Sequence, residues 1–457
     1  MTPGLRGIAR VSLRGLLALL ALLGVLMLAW LASNVVDDRD QPVPAALALP
    51  PNPPGSPLFF AVQGLLAPPG EAPEAVGRRE WLQAAATGRG PDAGQRPRPI
   101  EGLPLDCRAP QDCAQLLAAS LPQLGRQLAP AALLGQRCAA ALAGDLRYEE
   151  HLPARLHAAS PLPAYSGAVQ CALWLSGQAV LAASRDDRDA AVRRLREGRQ
   201  LAEALLVGCR MLVCEMVAVR MMELQFQGLG AVALLRPAWS ADLIALLPPL
   251  PPQALAPGEW LKTEHALMRG SLDDLMAECG GGLATMLLGV PSRALDLAGH
   301  WACQGRIGLL PQATRRAMDE RWLRVMASAG PGLDAALDHA IAQRQSGLAA
   351  PRGLAWRNTL GMALVGVLEG APYDEYFARQ ADAELHRQAL RTVLAVQLQR
   401  VPPAERATWL DRQDLPARLR GRLAWVDEGA RLQVRPWLAE LNAGHPRAAA
   451  YRLAVPL

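Results

Sequence analysis

The stretch DRDAAVRRLREGRQLAEALLVGCRMLVCEMVAVRMMELQF, residues 187–226, indicates the fold class. Alanine, leucine, arginine, glutamine and glutamate dominate it, and all of them are good helix formers. Its leucines return near a helical period of about 3.6 residues, at Leu195, Leu201, Leu205 and Leu212. Charged residues from Glu203 to Glu223 interrupt the apolar run, which argues against a membrane span. We therefore predict a long helix in the core of a large bundle.

The same composition continues on both sides, from about residue 111 to residue 415. The proline-rich segment LPPLPPQALAPG, residues 247–258, breaks the pattern and predicts two helical halves, 106–247 and 258–415. No tetratricopeptide-like period of about 34 residues repeats along the chain. The sequence therefore predicts a mainly all-α fold, as an irregular helical bundle or a solenoid-like domain.

The C-terminal part, residues 416–457, changes character. The segments RLAWV (422–426) and RLQVR (431–435) alternate apolar and polar residues and are separated by the short turn DEGA. This pattern predicts a small β-hairpin, to which YRLAV near the end could add a third strand.

The first 36 residues indicate a membrane anchor. Residues 15–36, GLLALLALLGVLMLAWLASNVV, carry no charge and are long enough to cross a hydrocarbon core of about 30 Å as a helix. Residues 1–14 hold three arginines and no acid, whereas three aspartates follow the apolar stretch closely. This asymmetry predicts a single-pass bacterial inner-membrane protein with a cytoplasmic N-terminus and a periplasmic bulk. A signal peptide cleaved late, near Ala46-Leu47-Ala48, is the alternative.

A proline- and alanine-rich stretch, residues 37–105, follows the anchor and predicts an extended, poorly packed linker. One apolar island, LFFAVQGLLA at 58–67, interrupts it and holds Phe59 and Phe60. An apolar island in a linker docks either on its own domain or on a partner. We expect docking on its own domain.

The cysteines are interpreted from the predicted compartment. Disulfides persist outside the bacterial cytoplasm, and the chain has an even number of cysteines, eight. We expect a local disulfide between Cys107 and Cys113, in DCRAPQDC, and a second between Cys279 and Cys303. Buried free thiols at Cys107 and Cys113 are the alternative.

One further pair of cysteines lies within residues 187–226. Cys209 and Cys214 are five positions apart, which on a continuous helix turns them about 140° from each other. We therefore predict that these two cysteines do not bond to each other.

Composition argues against several functional classes. Lys262 is the sole lysine of the chain, and the sequence around it matches neither a phosphate-binding loop nor a Ser-x-x-Lys nucleophile. The net charge is +5, and three of the arginines precede the anchor, so the remainder is nearly neutral. It holds no basic block with interleaved aromatic residues, and we predict neither a nucleic-acid partner nor a cofactor. A heme or metal carrier is kept as a minor alternative.

The acidic segment EWLKTEHALMRGSLDDLMAEC, residues 259–279, contains the residues best suited to catalysis. Glu264 could act as a general acid or base on a glycan, with His265 as a base or ligand. The alternative interpretation is a helix with a charged outer face, which we favour. No catalytic, cofactor-binding or metal-ligating residue is assigned on this basis.

Three stretches together resemble a group of uncharacterised, single-span, mainly helical envelope proteins of Gram-negative bacteria: PPGSPLFFAVQGLLAP (53–68), LRYEEHLPARLHAASPLPAYSGAVQCALWL (146–175) and RNTLGMALVGVLEGAPYDEYFARQADAELHRQALR (357–391). The resemblance implies an anchored, mainly helical, extracytoplasmic protein. The group has no known activity, so no functional residue carries over to this chain.

We therefore expect a non-enzymatic envelope protein, held in the inner membrane through residues 15–36. Its helical domain would bind or scaffold another envelope component, most simply an envelope protein. The alternative is a hydrolase that acts on an envelope polymer, with Glu264 and His265 at its site.

Overall fold

The computed structural model describes residues 3–34, 36–88, 100, 110–256, 258–277, 309–329, 332–345, 357–358, 361–362, 364–365, 373–441 and 451–454. They are mainly helical and include one small antiparallel sheet, so the predicted mainly α fold is confirmed. The chain divides into a smaller unit (1–48, 265–325 and 348–371) and a larger unit made of the remainder. Both units combine distant parts of the chain and do not coincide with the predicted halves 106–247 and 258–415.

The helices are numbered here in chain order. Those before the predicted break are α1 (Pro3–Ser33), α2 (Pro57–Gln63), α3 (Pro73–Thr87), α4 (Pro110–Ala119), α5 (Leu121–Leu128), α6 (Ala132–Leu142), α7 (Ser166–Ser184), α8 (Arg188–Gly208), α9 (Leu212–Leu235) and α10 (Ser240–Ala245). Those after it are α11 (Gly258–Ala277), α12 (Pro311–Ala329), α13 (Leu333–Gln345), α14 (Tyr373–Leu398), α15 (Arg406–Asp411), α16 (Ala417–Arg420) and α17 (Trp437–Leu441).

The core of the larger unit is formed by α7, α8 and α9, which pack against one another. Nearly every residue of α7 is buried, because its neighbours cover it on several sides. Two side chains also join α7 to α9 by hydrogen bonds, since Ser176 Oγ donates to the Leu224 carbonyl at 3.1 Å and Gln225 Nε2 to the Ala172 carbonyl at 3.1 Å. The stretch 187–226 thus lies in the core, as its pattern predicts.

That stretch is nevertheless two helices, α8 and α9, and not one. Gly208 ends α8 where its backbone passes Tyr148 so closely that a side chain would collide with it. The break at residues 209–211 brings Cys209 and Cys214 to a Cα–Cα distance of 5.5 Å, and a disulfide joins them. The prediction that these cysteines do not bond is wrong, because it assumed a continuous helix.

A second disulfide, Cys138–Cys171, joins α6 to α7 with a Cα–Cα distance of 5.9 Å. The expected pairs Cys107–Cys113 and Cys279–Cys303 lie outside the described residues, apart from the backbone of Cys113 in α4. Those two pairings remain predictions.

Residues 49–88 of the expected linker are folded into the larger unit. Leu58, Phe59 and Phe60 are at most 2% exposed, and the Phe59 ring meets Trp81 edge-on at 5.9 Å. Arg137 on α6 donates to the carbonyls of Leu65, Ala67 and Pro68 and so fixes the chain between α2 and α3. The apolar island therefore contributes to the hydrophobic core of the larger unit, whereas composition alone predicts an extended chain in this segment.

Proline is the first residue of both α2 and α3, where the missing N–H costs nothing because it would have no partner within the helix.

The C-terminal strands β1 (Leu423–Val426), β2 (Arg431–Val434) and β3 (Tyr451–Ala454) form an antiparallel sheet in the order β1-β2-β3. Trp425 lies opposite Leu432, which lies opposite Leu453. The predicted hairpin and its third strand are both present.

The smaller unit contains α1, the second part of α11 and most of α12. Within α1 the 18-residue window Leu16–Ser33 is apolar and unburied, and it is about 27 Å long at 1.5 Å per residue. The chain thus has one described helix that is long and apolar enough to span a membrane.

Candidate functional site

Glu264 and His265 are neighbours on α11 but engage different partners. The carboxylate of Glu264 is 8% exposed and accepts a hydrogen bond from the backbone N–H of Leu212. Burial raises the pKa of Glu264 to about 7. His265 Nε2 lies 2.8 Å from Asp319 Oδ1, and the histidine ring packs edge-on against Trp322. The two side chains therefore do not share one reaction centre.

Glu264 belongs to a buried acid cluster, Glu150, Glu215 and Glu264, around the beginning of α9. Glu150 is fully buried and accepts from the backbone N–H groups of Arg210 at 2.6 Å and Met211 at 3.0 Å. The hydroxyl of Tyr165 also donates to Glu150. Together Glu150 and Glu264 satisfy N–H groups that the helix start leaves without intrahelical partners.

Glu215 lies in the first turn of α9 and accepts from Gln380 Nε2 at 2.6 Å. Burial, helped by the negative charge of Glu150 and opposed by the hydrogen bond from Gln380, raises the pKa of Glu215 to about 8. Burial also raises the pKa of Glu150. These carboxyls are 8% exposed or less and hold the helix break in place, so the geometry gives the cluster a structural role. An acid inside an apolar run, as at Glu215, is the sequence signal for such a role.

A second feature, in the smaller unit, is open to solvent. It is a cavity of about 220 Å³ between the segment after α1 and the helices α11 and α12, which we call the arginine pocket. Four arginines line it, namely Arg39, Arg269, Arg315 and Arg316. The carboxylates that line it are Asp319 and Glu320. Sequence reasoning missed this site, because its residues come from three separate segments.

The carboxylate Asp319 forms part of the pocket wall. Arg269 Nη1 donates to Asp319 Oδ2 at 2.5 Å, and His265 contacts the other oxygen. Burial raises the pKa of Asp319, but the hydrogen bonds from His265 and Arg269 outweigh it and hold the pKa below its usual range. His265 and Arg269 thus orient an ionised carboxylate, so His265 supports the pocket wall.

The remaining arginines of the pocket differ in how they are paired. Arg315 donates from Nε to Asp273 at 2.8 Å, and Arg316 donates from Nε to Glu320 at 2.8 Å. Both terminal amino groups of Arg315 stay available, whereas one terminal amino group of Arg316 also lies 4.0 Å from the carboxylate of Asp38. Arg39 is exposed and has neither an ion pair nor a hydrogen bond to any residue that the structure describes.

The segment that follows α1 is fixed to the same unit by a set of hydrogen bonds, which we call the anchor junction. Asp37 accepts from the backbone N–H groups of Gln312 at 2.9 Å and Ala313 at 3.0 Å, and so caps the start of α12. Asn34 Oδ1 accepts from the backbone N–H of Asn358 at 2.6 Å. The pocket wall at residues 39–44 therefore begins directly after a fixed junction, not after a free tether.

Within the described residues, no group of three or more His, Cys, Asp or Glu side chains is placed to hold a metal ion. Comparison of the chain with protein-family models, curated proteins and solved structures gave no match.

Proposed function

We propose that the chain is a single-span envelope protein of a Gram-negative bacterium whose folded part binds another envelope component and does not catalyse a reaction. Residues 1–14 are cytoplasmic in this proposal, and everything after α1 is periplasmic. The three arginines before the apolar helix and the aspartates after it support this orientation. The resemblance of residues 53–68, 146–175 and 357–391 to such envelope proteins supports the same placement.

The observation that carries the proposal is the anchor junction beside the arginine pocket. Asp37 and Asn34 tie the end of the apolar helix to α12 and to Asn358. A pocket fixed in this way stays close to the membrane surface and presents a constant orientation to its ligand. The buried acid cluster offers no comparable opening, because Glu150, Glu215 and Glu264 are all 8% exposed or less.

In-cell photo-cross-linking tests the proposal. A photoreactive amino acid replaces Gln41, an exposed residue of the pocket wall, in the full-length chain. The matched control carries it at Gln83, an exposed glutamine of α3. We expect one recurrent envelope component, identified by mass spectrometry, from position 41 and not from position 83. Identical adducts from both positions, or none from position 41, would contradict the proposal.

The second candidate is a hydrolase of an envelope polymer. A single observation favours it: the pKa of Glu264 is raised to about 7, as in a general acid. Purified full-length protein incubated with isolated cell-wall polymer measures this activity directly. Release of soluble fragments by the native chain but not by Glu264→Gln would support the hydrolase. No release by the native chain would exclude it.

A further inference from the structure

We propose that the arginine pocket binds a phosphate ester, and that this group is the headgroup of an anionic phospholipid at the membrane surface. The inference rests on the proposed function, since it names the chemistry of the ligand at the same pocket. Four observations carry it: the residue types in the wall, the free donors, the position and the size.

The wall of the pocket favours an anion. Of the four arginines, Arg269 pairs with Asp319, which His265 also holds. Arg315 pairs with Asp273. Arg316 pairs with Glu320 and also lies 4.0 Å from Asp38. Arg39 contributes a charge that no described residue compensates. A bound anion would complete the pairing of Arg39.

The donor groups match a phosphate in geometry. A guanidinium presents parallel N–H groups that bind two oxygens of a phosphate at once. Arg315 donates from Nε to Asp273, so both of its terminal amino groups remain for a ligand. Arg316 donates from Nε to Glu320 and lies 4.0 Å from Asp38 through one terminal amino group, so the other terminal amino group remains. Arg39 offers its whole guanidinium. A carboxylate ligand would use the same fork but has fewer oxygens to share among three arginines.

The position of the pocket selects the source of the phosphate. Arg39 follows the last residue of α1, Ser33, by six positions, and Asn34 and Asp37 hold the intervening chain to the smaller unit. If α1 spans the membrane, Arg39 lies at the level of the lipid headgroups. Arginines at this level attract anionic lipids.

The size of the pocket excludes a large ligand. Its volume of about 220 Å³ is below the range of about 300–1,000 Å³ that accommodates drug-sized molecules. A single headgroup fits this space, with its acyl chains outside in the bilayer.

Native mass spectrometry of the full-length protein in mild detergent tests the inference. The probes are phosphatidylglycerol, zwitterionic phosphatidylcholine and inorganic phosphate. The test variant is Arg39→Gln/Arg316→Gln, which removes two exposed side chains and so preserves the fold. The matched control is Arg324→Gln, an exposed arginine of the same helix α12 outside the pocket. Arg39→Lys/Arg316→Lys separates charge from guanidinium geometry.

We expect phosphatidylglycerol to bind more tightly than phosphatidylcholine. Each arginine removed should weaken phosphatidylglycerol binding about fivefold, whereas Arg324→Gln leaves it unchanged. The lysine variant should bind with intermediate affinity. Binding of inorganic phosphate with the same arginine dependence, but without lipid selectivity, would support the phosphate site and identify a soluble ester as its ligand.

Equal binding of both lipids together with no arginine-dependent phosphate binding would overturn the inference. An equal loss of binding in Arg324→Gln would also overturn it. Neither result changes the expected cross-link from position 41 to an envelope component, which tests the proposed function. Failure of the ligand assignment can therefore be distinguished from failure of the proposed function.

Discussion

At the scale of single residues, the buried acid cluster shows how a functional-looking group can have a structural role. Glu264 combines an acidic segment with a pKa near neutrality, which is the profile of a general acid. Its carboxylate nevertheless binds the Leu212 N–H, and Glu150 binds the two N–H groups before it. The raised pKa of Glu264 follows from burial at a helix start and does not require a substrate.

Glu215 should make stability depend on pH. Its pKa is raised from 4.5 to about 8, so the folded chain keeps a proton there that the unfolded chain loses. The stabilisation is complete below pH 4.5 and is lost as the pH rises through about 8. In Glu215→Gln no carboxyl titrates at this position. The urea midpoint of the variant, measured relative to that of the native chain, should therefore increase between pH 5 and pH 9. The substitution should remove a decrease in the free energy of unfolding of at most about 1.4 kcal/mol per pH unit.

The control for this experiment is Glu405→Gln, at an exposed glutamate. A constant difference between Glu215→Gln and the native chain from pH 5 to pH 9 would show that Glu215 does not titrate in this range.

At the scale of elements, the two described disulfides should contribute unequally. Cys138 and Cys171 are 33 positions apart, whereas Cys209 and Cys214 are 5 apart. The longer loop removes more entropy from the unfolded chain, so Cys138→Ala/Cys171→Ala should cost about 4 kcal/mol and Cys209→Ala/Cys214→Ala about 2 kcal/mol. Urea unfolding of the two double variants measures the difference, and the reverse order would contradict the entropic account.

The cap that Asp37 places on α12 can be tested separately. Asp37→Ala removes the acceptor for the N–H groups of Gln312 and Ala313, which should cost about 1 kcal/mol. Hydrogen exchange at these two amides should therefore accelerate about fivefold. Asp40→Ala, an exposed aspartate three positions on, is the control and should leave the exchange unchanged. Unchanged exchange in Asp37→Ala would show that the junction does not hold the helix.

The elements differ in how far the sequence predicts them. The apolar helix α1, the helical composition and the alternation in β1 and β2 are local patterns, and the structure contains them. The break at residues 209–211 depends on contacts of Gly208 and Glu150 with residues far along the chain. The linker prediction failed for residues 49–88 for the same reason, because Arg137 and Trp81 fix a segment that composition alone describes as extended.

At the scale of the whole molecule, the candidate site depends on chain topology. The arginine pocket combines residues 39–44 with parts of α11 and α12 that lie more than two hundred positions away. Arginines so far apart in the sequence form neither a periodic pattern nor a motif of fixed spacing, so the sequence does not predict the pocket. It does predict the apolar helix α1, whose end lies beside the pocket, and the proposed function rests on the two together.

A periplasmic pocket beside a membrane-spanning α1 can be tested by protease accessibility of the full-length chain, tagged at its C-terminus, in spheroplasts. We expect external protease to remove the tag while the inner membrane is intact, and alkaline carbonate to leave the protein in the membrane. A tag that survives until the membrane is lysed would place the folded units in the cytoplasm. Release of the chain by carbonate would show that α1 is not an anchor. Either result would contradict a periplasmic pocket held at the membrane surface.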